Sequence, residues 1–321
     1  PLQTVGEERQ GVLSREVTFH LFREPRTRAE AMALVRNEDG AYDALLHRRF
    51  TAKEARVFGR LGEALSQKRG AGGDGRTFGD TELRLSGDVV LRDESQGLEI
   101  RGQQMTVWPE QDRAEGDGTY TLRHEALVLE GEQLVMERDE AKGWSRVSLE
   151  RNPVLRIMAE GRGKDGTPIF DFGPGTFRPA TISSAGRAIL VRQEGRSETV
   201  ITVTFSDNVR AIQEGGRSLA AGHAELISSP PTLPRGSSWK LQHFRADRGV
   251  KMAYPGRTSK GAEYLTSVTA TRLLHDVPDD GPAATVLEGN VVILLRGEIP
   301  LLGPDGRLRL MCRDRAWIGP L

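Results

Sequence analysis

Three separate stretches of the chain repeat one short phrase, in which a small turn and an Asx residue precede an extended apolar run. The copies are residues 85–91 (LSGDVVL), 205–211 (FSDNVRA) and 287–293 (LEGNVVI). A second extended segment with alternating apolar residues follows each copy, at residues 98–107, 219–227 and 308–318. Repetition at this scale indicates a stacked β-architecture rather than one compact catalytic domain. It also points to a long surface or groove as the functional part of the molecule.

The composition narrows the classes of function. The 321 residues are enough for one large domain or for two to three ordinary ones. The 45 basic and 45 acidic side chains cancel, so there is no electrostatic case for a nucleic-acid partner. Cys312 is the one cysteine, which excludes an intramolecular disulfide and a thiolate metal site. No apolar run of membrane-spanning length occurs, and a chain that begins at Pro1 is expected to be a fragment or a processed product.

The alternation of apolar residues predicts mostly β-structure. From Thr81 onward the apolar period is two, as in half-buried strands, and Gly102 is expected to mark a β-bulge. Residues 1–150 are predicted to form a first module, residues 151–275 a second, and residues 284–321 the incomplete start of a third.

A helical insertion is expected at about residues 26–70. Residues 27–30 and 51–54 both fit the capping box, in which Thr and Glu side chains satisfy free N–H groups at a helix start. Val57, Phe58, Leu61 and Leu65 then follow at helical spacing. The alternative is that residues 50–58 form an edge strand.

No pattern in the sequence predicts catalysis. Residues 70–75 and 161–166 both fit G-x-G-x-x-G, but neither stands between a strand and a helix, so both are interpreted as turns. The six histidines have no metal-ligand spacing, and Asp276 with its acidic neighbours is typical of a solvated turn. We therefore expect no enzyme activity, no catalytic residue, no metal and no cofactor.

Several segments resemble the OstA-like superfamily of periplasmic lipopolysaccharide-transport proteins, which includes LptA, LptC and the N-terminal part of LptD. The resemblance is carried by these residues: 87–92 (GDVVLR), 98–105 (LEIRGQQM), 115–118 (EGDG), 127–131 (LVLEG) and 287–292 (LEGNVV). It implies repeated, half-open, V-shaped β-jellyrolls of antiparallel sheets that enclose an apolar groove. It further implies a non-enzymatic lipid-transport or bridge protein of cell-envelope and outer-membrane biogenesis. The size of this chain, its several modules and the expected helical insertion depart from the family pattern.

The resemblance also implies a ligand, partners and a location. The ligand is lipopolysaccharide or a related amphipathic lipid, and other envelope transport proteins are expected to pair with exposed strand edges. The location is the periplasm, with any membrane anchor in a segment absent from this chain. The groove is predicted from the alternation to contain Leu83, Leu85, Val89, Leu91, Leu98, Ile100, Met105, Val107, Ile201, Val203, Phe205, Val209, Val291, Ile293, Leu308 and Leu310.

Two other interpretations stay open. Alternation is also the ordinary signal of a sheet with one buried face, so the alternative is a structural spacer or scaffold of an envelope complex, with a closed core and no ligand. A sugar-binding or carbohydrate-active β-solenoid is the third interpretation.

Overall fold

The fold was analysed in a computed structural model, which describes residues 3–5, 8–22, 32, 46–59, 81–93, 97–124, 127–139, 143–157, 170–171, 181–194, 199–213, 216–229, 239–257, 261, 263–276, 284–299 and 303–318. This part of the chain is almost entirely antiparallel β-sheet and contains no α-helical element. The prediction of a mostly-β, antiparallel protein is therefore confirmed. The chain divides into two compact units, residues 1–125 with 132–139, and residues 126–131 with 140–321.

The first unit is an antiparallel meander, in which β2 to β6 pair in chain order and β1 pairs with β2. One 3-10 turn, Pro109–Gln111, precedes β6. A further strand, β7, has its first five residues in the second unit and its remaining residues in the first. The bounds are β1 (Gln3–Val5), β2 (Glu8–Phe22), β3 (Leu46–Phe58), β4 (Glu82–Asp93), β5 (Leu98–Trp108), β6 (Arg113–His124) and β7 (Leu127–Asp139).

The second unit contains twelve further strands. Their bounds are β8 (Trp144–Ile157), β9 (Phe170–Asp171), β10 (Thr181–Ser183), β11 (Ala188–Glu194), β12 (Thr199–Ile212), β13 (Ser218–Ser229), β14 (Trp239–Arg257), β15 (Glu263–Asp276), β16 (Ala284–Glu288), β17 (Val291–Ile299), β18 (Gly303–Cys312) and β19 (Arg315–Ile318).

The pairing of these strands makes the second unit continuous. Strands β10 and β11 both lie between β8 and β12, and β12 to β15 pair in chain order. Strand β15 then pairs with both β16 and β17. Strand β16 pairs in turn with β19, and β17 pairs with β18. The short β9 lies parallel to β14. The third copy of the repeated phrase thus extends the sheet that contains the second copy.

The predicted helical insertion is wrong over residues 46–58, because Leu46–Phe58 is strand β3. This strand pairs with β2 on one side and β4 on the other, so it is not an edge strand either. Its buried apolar residues are spaced two, three and two positions apart, at Phe50, Ala52, Ala55 and Val57. The register changes between Thr51 and Glu54, so the four residues that fit the capping box form an irregularity within the strand and not the start of a helix. Most of the remaining residues of the predicted insertion lie outside the described residues.

The repeated Asx phrase is a kink inside the sheet. The pairs Gly87–Asp88, Asp207–Asn208 and Gly289–Asn290 all have positive φ, between 49° and 74°. Gly, Asn and Asp adopt this left-handed region at lower cost than other residues. The ladder register shifts across the first two pairs, and the third separates β16 from β17. The phrase therefore specifies the point at which each strand bends.

In the second unit the kinks of neighbouring strands line up. The kink of β12 is beside a register shift between Ala220 and His223 on β13 and another between Asp247 and Val250 on β14. Within the β14 shift, Arg248 and Gly249 have φ of 64° and 85°. We call this shared line of kinks, at residues 184–187, 207–208, 221–222 and 248–249, the crease.

A buried ionic network joins three strands of the first unit. The Arg48 guanidinium is 3.3 Å from the Asp93 carboxylate, its cross-strand partner, and 2.9 Å from the Asp112 carboxylate. Arg138 of β7 approaches the same Asp93 carboxylate at 3.4 Å. Asp93 is 1 % exposed and Arg48 3 %, so neither charge is compensated by water.

We predict that Asp93→Asn destabilises the protein by about 3–5 kcal/mol, because the substitution leaves two buried guanidinium groups without their shared carboxylate. The free energy of unfolding from urea denaturation measures the effect. Asp88→Asn, which removes an exposed carboxylate from a left-handed position that Asn also tolerates, is the control and should change stability little. Equal losses in the two variants would contradict a structural role for the buried network.

We predict that Gly289→Ala destabilises the second unit by roughly 1–3 kcal/mol. The position has φ of +73°, and an added Cβ would lie 2.5 Å from Thr271 Oγ1. Gly97→Ala is the matched control, because Gly97 has φ of +62° and no neighbour within 4 Å of an added Cβ. A thermal melt in which Gly97→Ala loses as much stability as Gly289→Ala would contradict the close packing at this kink.

Candidate functional site

Buried apolar side chains form rows that cross the strands of the first unit, because residues paired across a ladder lie on the same face of the sheet. Among the described residues these rows contain most of the large buried side chains of β3 to β6. Three rows are Phe50–Leu91–Ile100–Leu122, Ala55–Leu85–Met105 and Val57–Leu83–Val107–Ala114.

The second unit contains longer rows, each crossing eight strands. One row passes on each side of the crease, so both halves of the bent strands bury the same face. The two rows are Leu149–Ala188–Phe205–Ala224–Ala246–Leu273–Leu287–Ala316 and Leu155–Ile182–Ala211–Leu219–Met252–Val268–Ile293–Leu310. With strands about 4.8 Å apart, each row is roughly 30 Å long. We call the second of these the long row.

Thirteen of the sixteen residues predicted for the groove are buried, and none of the thirteen is more than 4 % exposed. They are distributed over β4 and β5 of the first unit and over β12 and β17 of the second. The structure therefore buries these thirteen side chains. The remaining three, Ile293, Leu308 and Leu310, all lie on β17 and β18 and are less buried.

The long row opens to solvent at its last strand. Exposure rises from 2 % at Val268 through the half-buried Ile293 to 50 % at Leu310, and Leu308 on the same face is 38 % exposed. In the described part of the chain, β18 pairs with β17 alone, so among these residues its other edge has no partner strand. We call the surface formed by Ile293, Leu295, Leu308 and Leu310 the open end. Met311, on the opposite face of β18, is 71 % exposed.

A tyrosine fills the bulge predicted at Gly102. The register of β5 and β6 shifts between Arg101 and Thr106, and an added Cβ at Gly102 would lie 2.3 Å from the Tyr120 ring. The Tyr120 hydroxyl donates a hydrogen bond to the Gln104 carbonyl oxygen. Burial raises the pKa of Tyr120 to about 12, so the side chain stays neutral within the apolar face.

The polar residues singled out in the sequence have ordinary partners. His243 Nδ1 lies 2.6 Å from an Asp276 carboxylate oxygen, and His275 Nδ1 lies 2.9 Å from Thr285 Oγ1. The Cys312 thiol donates to the Arg315 carbonyl oxygen over 3.0 Å. No cluster of three or more His, Cys, Asp or Glu side chains suited to a metal occurs among the described residues. The glycine-rich residues 70–75 and 161–166 lie outside the described residues.

Asp88, in the first copy of the phrase, is part of an exposed surface pair. Its carboxylate accepts a hydrogen bond from Lys53 Nζ, and this bond together with the lysine charge holds the pKa of Asp88 below its usual value. Lys53 lies on the neighbouring strand β3, so the pair links two strands at the kink. An exposed pair of this kind adds little to stability.

Comparison of the chain with protein-family models, with curated proteins and with solved structures finds no match. Among the residues that the structure describes, no helix has the length and apolar character needed to cross a membrane.

Proposed function

We propose that this protein is a non-enzymatic periplasmic carrier or bridge, which holds the acyl part of lipopolysaccharide or a related amphipathic lipid against the apolar rows of an OstA-like, open jellyroll. The observation that carries the proposal is the open end, where a row of buried apolar side chains continues in register to half-buried Ile293 and exposed Leu310, with exposed Leu308 beside them. The resemblance of the repeated phrase to the OstA-like superfamily supports the choice of lipid.

The dimensions and chemistry of the long row suit an acyl chain. Each methylene removed from water contributes about 0.8 kcal/mol, so a long acyl chain gains on the order of 10 kcal/mol on full burial. Seven of the eight side chains of the long row are Leu, Ile, Val or Met, and the eighth is Ala211. A face without fixed polar anchors lets a bound chain slide without large barriers. A lipid that enters at the open end meets this face first.

The edge of β18 supports the proposed partners. Its unpaired N–H and C=O groups offer a template to a strand of another envelope transport protein, as in β-augmentation. Apolar side chains beside such an edge let an incoming strand extend the apolar face from one protein to the next. The same edge therefore supports a bridge built from several proteins.

A second candidate function is a structural spacer with a closed core, and the burial of the inner rows favours it. Leu91, Ile100 and Val203 are each 0 % exposed, which leaves no acyl-sized opening beside them in this conformation. For the lipid carrier, this burial requires that the rows separate when lipid enters. The lipid carrier binds an acyl chain at the open end, whereas the structural spacer binds no ligand there.

We predict that Leu310→Asp weakens binding of rough-chemotype lipopolysaccharide by about tenfold or more, because a carboxylate on the apolar face must be desolvated against hydrocarbon. Met311→Asp is the matched control, since it puts the same charge on the same strand but on the opposite face, and it should bind within about twofold of the unaltered protein. Displacement of a fluorescent fatty acid measures the affinity.

Circular dichroism and melting curves verify that both variants fold. Leu310 is half exposed, so a charge there is tolerated by the fold better than a charge at the fully buried Leu91. If the unaltered protein binds no lipid, or if the two variants bind equally well, the spacer is the better account.

A further inference from the structure

We propose that the crease of the second unit is a binding site for a phosphate group carried by a larger molecule. The site is a surface cleft of about 680 Å³ on strands β10, β12, β13 and β14. It shares no residue with the open end, and the proposal does not depend on the proposed lipid function. We call it the crease cleft.

The charge of the lining points to an anion. Among the residues that line the crease cleft, three are basic, namely Arg210, Arg248 and Lys251, and none is acidic. Arg210 and Lys251 are exposed, and neither forms an ion pair with a carboxylate within the described part of the chain. Arg248 approaches Asp247 at 3.7 Å, but the side chains are 70 % and 36 % exposed, so water screens the pair and it competes weakly with a ligand.

The register of the strands places Arg210 and Lys251 on either side of Ala220. Arg210 pairs with Ala220, and Ala220 pairs with Lys251, so the three lie in one line on the same face. The two cations are therefore two strands apart, or about 10 Å between Cα atoms. Because Ala220 has a small side chain, the guanidinium and the ammonium group are able to converge above it on one bound oxyanion.

Ser183 extends the line of cations on the same face. It pairs with Arg210 across the ladder, and Arg210 in turn lies in line with Ala220 and Lys251. Ser183 and the exposed Asn208 both line the cleft, and their side chains are able to donate hydrogen bonds to a bound phosphate.

The shape of the cleft depends on the kinked backbone. An added Cβ at Gly222 would lie 2.7 Å from the Cβ of Arg248, so only glycine lets the Arg248 backbone approach this closely. A second cleft of about 490 Å³ shares Arg248 but contains the carboxylates of Glu150 and Asp207. These carboxylates repel an anion, so the phosphate is expected in the crease cleft alone.

The test measures binding of the full chain to pyrophosphate by isothermal titration calorimetry, and to phosphatidylcholine vesicles with and without phosphatidic acid by co-sedimentation. Arg210→Gln and Lys251→Gln should each weaken binding by about tenfold or more. Arg245→Gln, which removes an equally exposed guanidinium from the same strand outside the cleft, is the control and should bind like the unaltered protein.

Ser183→Ala separates a ligand contact from a structural role. Because Ser183 is half-buried and lies on the face of the cations, loss of its hydroxyl should leave the melting temperature unchanged while binding weakens. Binding of pyrophosphate supports recognition of the phosphate itself, and binding of phosphatidic acid vesicles alone supports a lipid headgroup as its source. No binding of either probe, or equal weakening in Arg245→Gln, would overturn the proposal.

Discussion

The constraint on which the rest of this structure depends is that each strand keeps one apolar face through its bend. Side chains alternate between the two faces of a strand, so the residues at a bend must return the strand to the same buried face on the other side. In all three copies of the repeated phrase, the buried residues before and after the kink are four positions apart: Leu85 and Val89, Phe205 and Val209, Leu287 and Val291. The Gly or Asx pair between them takes up the left-handed conformation that a bend needs. Each strand therefore bends while it keeps one buried face.

Two surfaces with different chemistry follow from this arrangement. On the buried face, in-register pairing collects apolar side chains into rows, and the long row of the second unit becomes exposed only at β17 and β18. At the crease itself, the kinks take several residues out of the ladder register and leave a polar, basic cleft. A carrier of amphipathic molecules needs both an apolar surface and a site for a charged headgroup. The two sites share no residue, so each can be tested independently of the other.

The sequence predicted which side chains of a strand are buried better than it predicted where the strands bend. Alternation identified buried residues such as Leu91 and Ile201, because a one-sided sheet leaves this pattern directly in the sequence. The helix prediction failed at residues 50–58, where the capping-box residues Thr51 and Glu54 flank a register change within strand β3. The Arg48–Asp93 network could not have been found, since the two residues are 45 positions apart and only the register of β3 and β4 brings them together. The line of Ser183, Arg210 and Lys251 likewise depends on the register of three strand pairs.

Native mass spectrometry of the purified full chain tests the central claim most directly, because it detects a bound lipid without an assumption about which lipid it is. The chain should be produced in a bacterial periplasm and kept free of detergent during purification. The lipid carrier predicts a population heavier than the bare polypeptide, whose added mass dissociates on collisional activation and is recovered in organic extract as a molecule with long acyl chains. Only the mass of the bare polypeptide, from protein shown to be folded, would contradict the carrier and leave the structural spacer.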